Sequence, residues 1–312
     1  MFNNYPGRHT DQSQRGTVVW LFSVALLLAL AGAAAFFLRL RETAPPSASS
    51  GQIDGSAGAS SSSPSLQPPV PEEPKAPPYD FSQPVPAGEA VENHYFDDAA
   101  FVGDSRTDGF MLYSGIGTGE NLSANGLSIF KLAGRKALTI DGEKYTLLEA
   151  LSLKQYGKVY ISLGINELGY NNDEGFYERY CTAIDEIRRL QPQAVIYIQG
   201  LIPVNEAQSQ ESTGHDYLTN EHARVYNDLM QRAALEKQVA YLDLYSEFAD
   251  ESGTLPEEAS RDGIHLKKEA CKQWLAYLQT HTVTFEALYP DGPPSPPPAE
   301  ADTTTADGSG QA

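Results

Sequence analysis

The sequence predicts an α/β fold, a parallel sheet with helices on both faces. Three observations point there. Short apolar runs suited to buried strands recur at Ala99–Val102, Lys158–Leu163, Ala194–Leu201 and Val239–Leu244. Between them lie helical stripes such as Phe176, Tyr180, Ile184, Ile187 and Leu190. Strands that alternate with helices assemble into parallel sheets through crossover connections. Third, two of the runs stop at turn residues, Gly103-Asp104-Ser105 and Gly164-Ile165-Asn166. That puts polar side chains at the carboxyl edge of the sheet, where open α/β folds bind ligands. A serine at such a turn also lies beside helix N-terminal amides, which can stabilise an anion.

Taken in order, residues 1–15 are polar and form a short segment expected on the cytoplasmic side. Residues 16–38 carry no charge, are rich in Leu, Ala, Val and Phe, and are long enough to span a bilayer as a helix. Trp20 and Phe36-Phe37 sit near the ends of this stretch, as interfacial aromatics do. The apolar run exceeds a usual signal-peptide core, so the reading is an uncleaved single-pass anchor. Residues 39–93 are dominated by Ser, Pro, Ala and Gly and read as a disordered tether. The folded domain is expected at 94–289, about 190 residues, enough for one substantial core. A Pro-rich tail, 290–312, closes the chain.

Within the domain, strand 99–104 leads into a helix near 105–114. A second strand lies near Asn121–Ser123. ALTIDGEKY (137–145) reads as a hairpin turning at Asp141-Gly142, followed by a helix near 146–154. Strand 158–163, helix 174–190 (ended by Pro192) and strand 194–201 come next. Residues 203–219 read as a polar loop. Helix 220–237, strand 239–244 and a final helix marked by Leu266, Ala270, Trp274, Leu275 and Leu278 complete the pattern.

Net charge is −19, from 41 acidic and 22 basic residues. That excludes a nucleic-acid partner, whose binding rests on neutralising phosphates. Cys181 and Cys271 read as two buried thiols, too few for a disulfide framework. No ligand cluster with metal spacing is present, and His215 and His222 belong to a solvated loop region. Neither a metal nor an organic cofactor is expected.

A third motif, Asp262-Gly263-Ile264-His265, precedes the last helix. GDS, GxN and DxxH in this order resemble the SGNH (GDSL-like) hydrolase family of serine esterases and acylhydrolases, over about Tyr95 to Thr282. The resemblance implies a three-layer α/β/α sandwich of flavodoxin-like type. It assigns Ser105 as nucleophile, His265 as general base and Asp262 as the group that orients the imidazole. It assigns the oxyanion donors to the Ser105 amide, a glycine amide and the Asn166 side chain. Gly126 is preferred over Gly115, Gly117 and Gly119 because Ala124-Asn125-Gly126 follows the second strand. There are two departures from the family's pattern. Arg106 replaces the Leu of GDSL, and Glu167 replaces the acid of Gly-x-Asn-Asp. Both are read as substrate contacts, with pairing to a nearby acid as the alternative for Arg106. Tyr170, just beyond, is read as lining a sugar-binding cleft or simply as loop.

The expected activity is hydrolysis of small acyl esters, O-acetyl among them, on cell-envelope carbohydrate, by a cell-membrane protein whose catalytic domain is extracytoplasmic. An O-acyltransferase would use the same acyl-enzyme with a sugar acceptor. A non-catalytic envelope-binding module would be expected to lack part of the triad.

Overall fold

The computed structural model describes residues 78–295. The expected cytoplasmic segment, the 16–38 span and most of the tether and tail lie outside these residues. Among the described residues no helix is long and apolar enough to cross a membrane.

Five parallel strands form the sheet: β1 (Ala99–Gly103), β2 (Glu120–Ser123), β5 (Lys158–Ser162), β6 (Val195–Gln199) and β7 (Ala240–Leu242). Their spatial order is β2-β1-β5-β6-β7. β3 (Leu138–Ile140) and β4 (Glu143–Tyr145) make the separate hairpin foreseen at Asp141-Gly142, both of which take positive φ. The helices are α1 (Ser105–Tyr113), α2 (Leu147–Leu151), α3 (Asp173–Leu190), α4 (Glu206–Thr213), α5 (Asn220–Lys237), α6 (Leu244–Phe248), α7 (Lys268–Thr280) and α8 (Phe285–Leu288). This is an α/β sandwich around a central parallel sheet.

Strand alternation divides the apolar side chains between two cores. Ala100, Val102, Val159, Ile161, Ile196 and Ile198 face one side, with buried residues of α2, α3 and α5. Phe101, Tyr160, Val195, Tyr197 and Leu242 face the other, with those of α1 and α7. Register aligns Phe101 with Tyr160 and Tyr160 with Tyr197. Their rings stack across three strands, with centroids 5.0 and 4.5 Å apart and planes within 8° and 2°. Such pairs contribute about 0.5–1.5 kcal/mol each beyond area burial. The ladder fixes the relative height of β1 and β5, and therefore of the residues that leave their carboxyl ends.

Three expectations are corrected. The tether ends earlier than residue 93: Val85 is buried, and Val85, Gly88 and Val91 donate amides to Tyr241, Thr280 and Gln279. Tyr79, Phe81, Val85 and Val91 supply the apolar surface that a Pro-rich composition hid. The polar loop 203–219 contains α4, whose only buried residue is Ser209; with no apolar stripe it has no helical signature. The last strand stops at Leu242, because the Asp243 side chain accepts from Ser246 N and caps α6. Cys181 and Cys271 are free and buried, one in each core.

Candidate active site

β1 delivers Ser105 to the point where strand order reverses, between β2 and β5. Gly103 is required there by close approach. A Cβ at that position would fall 1.9 Å from Thr107 Oγ1 and 2.8 Å from the Ser162 carbonyl. Asp104 caps α1, accepting from Arg106 N at 2.9 Å. Ser105 is the first residue of the helix, and its amide belongs to the first-turn donors that have no partner within the helix. Asp104 is buried, and desolvation pushes its carboxyl up to about 6 against the pull of the Arg106 amide and guanidinium.

The 260–266 loop supplies the partners. Ser260 and Leu266 bridge as an antiparallel pair and close it. One oxygen of Asp262 accepts the Ile264 and His265 amides at 3.0 and 2.8 Å. The other lies 2.7 Å from His265 Nδ1, and His265 Nε2 lies 2.9 Å from Ser105 Oγ. Burial works to raise the Asp262 carboxyl, but the His265 amide and ring and the Ile264 amide outweigh it and hold it below its usual range. With Asp262 ionised, Nδ1 carries the imidazole proton and Nε2 accepts from the serine hydroxyl. Arg106 Nε donates to the Ile264 carbonyl of this loop, and Ser260 Oγ donates to the His265 carbonyl at 3.0 Å.

Asn166 leaves the end of β5 in a short 3-10 turn, Ile165–Glu167. Its amide donates to Leu127 O at 2.9 Å and faces Asp104 Oδ2 at 3.5 Å, a longer and weaker contact. Gly126 takes φ +65 in the turn closed by Leu127 N to Ala124 O, so its own amide stands outside that bond. Ser105, Asn125, Leu112, Tyr113, Arg261 and His265 help to line a cavity of about 330 Å³. A larger cavity, about 560 Å³, lies at the starts of α4 and α5 and contains no serine–histidine pair. The chemistry therefore points to the smaller one.

The sequence model of the GDSL-like Lipase/Acylhydrolase family matches residues 101–272, more than half of the 312. The chain belongs to this family. Among curated proteins none matches. Solved structures similar to this GDSL-like protein include a GDSL-like lipase from Bacteroides thetaiotaomicron. It is 12% identical, with 59% of this chain and 87% of that one covered and a TM-score of 0.45. A peptidoglycan O-acetylesterase is 18% identical, covering 51% and 45% at 0.39. An acetyl xylan esterase is 13% identical, covering 58% and 96% at 0.41.

Two expected substrate contacts of the GDSL-like chain are corrected. Arg106 touches the floor of the cavity, but its guanidinium turns into the protein. Nε donates to Ile264 O at 2.9 Å, Nη1 to Ile202 O at 2.7 Å and Nη2 to Pro203 O at 3.3 Å. It is 5% exposed, and its nitrogens meet carbonyls rather than a carboxylate. Glu167 is 3% exposed and accepts from Ile129 N. Desolvation, aided by the nearby Asp104 charge, pushes it up to about 8, while the Ile129 amide pulls the other way. Tyr170 stays exposed, outside the cavity lining, with its ring 4.8 Å from that of Phe130.

Leu112 and Tyr113 escaped the sequence reading as cavity residues. The signal was available: Leu112 follows Ser105 by seven positions, two turns along the same side of α1. His222 is occupied elsewhere, between Leu168 O and Asp173, and His215 packs on Tyr217. Among the described residues no group of three or more His, Cys, Asp or Glu could hold a metal ion.

Proposed function

We propose that this GDSL-like protein is a serine esterase that removes short acyl groups, O-acetyl foremost, from cell-envelope carbohydrate. The observation that carries the reading is the continuous chain Asp262–His265–Ser105, with contacts of 2.7 and 2.9 Å at the mouth of a cavity. Ser105 Oγ attacks the ester carbonyl carbon while His265 Nε2 takes its proton. The tetrahedral oxyanion accepts from the Ser105 and Gly126 amides and from Asn166 Nδ2, whose second hydrogen leaves its weak 3.5 Å contact with Asp104 while the first stays on Leu127 O. Collapse breaks the bond to the alcohol oxygen, which leaves with the proton from His265. Water then attacks the acyl-serine, its proton passing to His265, and the acid departs as Ser105 is reprotonated.

A cavity of about 330 Å³ suits a short acyl group. Leu112 and Tyr113 give it an apolar wall. Phe130 and Tyr170 form an exposed aromatic pair, each 39% accessible, on the loop beyond Gly126 and the turn beyond Asn166. Sugar C–H faces stack on such rings, which supports a carbohydrate carrier. The 16–38 segment anchors the protein in the cell membrane as a single pass, with the domain extracytoplasmic.

The test is turnover of short chromogenic acyl esters by the purified protein beside Ser105→Ala. The substitution lowers kcat by at least about 1,000-fold; equal rates would remove Ser105 from the chemistry. Product analysis with a carbohydrate acceptor separates transfer from hydrolysis. Protease applied to intact cells degrades an extracytoplasmic domain and spares a cytoplasmic one.

A further inference from the structure

We propose that Glu167 is a positioning residue, one that builds the oxyanion hole without touching the substrate. The inference rests on the reading above, in which Gly126 and Asn166 are oxyanion donors.

The end of β5 grips one loop at two points. Asn166 donates to the Leu127 carbonyl, and the next side chain, Glu167, accepts the Ile129 amide. Leu127 is the residue after Gly126, so both anchors fall within three residues of the amide that meets the oxyanion. Each end of the grip is itself held. Tyr226 on α5 donates its hydroxyl to the Glu167 carbonyl at 2.8 Å. Arg179 on α3 donates to Ile129 O at 3.1 Å. Ile129 is fully buried, so water does not replace the carboxyl if it is lost. The same anchor sets the 3-10 turn Ile129–Lys131, which carries Phe130 of the aromatic pair.

A surface substrate contact would be exposed, and Glu167 is buried. Its carboxyl accepts the Ile129 amide, and burial raises its pKa. Accepting from that amide is a role that glutamine can fill and alanine cannot. Aspartate keeps the acid but shortens the reach, and should behave like alanine.

The experiment compares the intact protein with Glu167→Gln, Glu167→Ala and Glu167→Asp. Two readouts are taken: kcat and KM with a short acyl ester, and amide hydrogen exchange of peptides covering 127–131. Alanine and aspartate are expected to lower kcat about 10- to 100-fold with KM within about twofold, since misplacement of about 1 Å has that effect. Exchange at 127–131 should quicken about tenfold or more in both, while glutamine keeps kcat and KM close to wild type and protection no lower than wild type. Where alanine fails to fold, the aspartate–glutamine contrast decides. Unchanged kcat and unchanged protection in the alanine and aspartate proteins would overturn the proposal. So would a loss confined to KM, which marks direct substrate contact. Should the wild type turn over no ester, the reading of Ser105 fails separately. The exchange arm then still decides: protection lost in alanine and kept in glutamine upholds the clamp, and protection kept in both overturns it.

Discussion

Replacing Arg106 by leucine, the residue of the GDSL signature itself, tests how this chain joins its serine to its histidine. The guanidinium links the first turn of α1 to Ile264, the residue before His265, and to Ile202 and Pro203 after β6. Leucine leaves two buried carbonyls, of Ile202 and Pro203, and the half-buried carbonyl of Ile264 without these donors. Two of the bonds are short and charge-assisted, each with a net contribution of about 1.5–3 kcal/mol; the one at 3.3 Å adds less. Against this, leucine removes a buried charge, whose desolvation draws the arginine pKa down to about 10. The balance is a loss of about 2–4 kcal/mol. For a domain of this size that lowers Tm by several degrees. Freeing Ile264 also loosens the His265 backbone, so kcat falls about 10- to 100-fold while KM changes little. Denaturant titration and steady-state kinetics with a short acyl ester measure both. Unchanged stability with a raised KM would refute the reasoning and return Arg106 to a substrate-facing role.

Three further predictions follow from the same geometry. Gly263 takes φ +83, and a Cβ there would lie 2.4 Å from Asn205 O and 2.5 Å from Ser209 N. Gly263→Ala must therefore displace the 260–266 loop, with kcat down about 100-fold and a separate stability loss seen by thermal melting. Asp262→Asn keeps the shape of the loop but no longer stabilises the imidazolium; kcat is expected to fall by about three orders of magnitude in single-turnover assays. Glu167 holds its proton up to about pH 8 in the folded protein and releases it near 4.5 when unfolded. Across that window the folded state binds more protons, so this group's contribution makes stability fall as pH rises, by up to about 1.4 kcal/mol per pH unit. Glu167→Gln removes this slope, leaving that of Asp104, raised to about 6, at the acid end. Parallel urea midpoints for the two proteins across the window would count against a raised Glu167.

The sequence by itself determined the α/β class, the five sheet strands in outline and the residues from which a site could be drawn. These are legible because each is written in neighbours: a run of Val and Ile, a Gly-Asp-Ser stop with its cap, an Asp three residues before a His. Such signals act through the chain's own covalent reach. Ser105 and His265 stand 160 positions apart, and only the packing of β1 against the 260–266 loop puts their atoms 2.9 Å from each other. The places where sequence reading went astray have the same cause. Arg106 and Glu167 read from the sequence as substrate contacts, with pairing to an acid as the alternative for Arg106, because no chain neighbour shows what they meet. Their partners, Ile202, Pro203 and Ile264 for one and Ile129 for the other, lie 96, 97, 158 and 38 positions away. Tyr79, Phe81 and Val85 were hidden in a Pro-rich composition, and α4 in the absence of an apolar stripe. Local pattern records which surfaces a segment can bury. The tertiary structure alone decides what it buries them against, because that depends on desolvation by residues far along the chain.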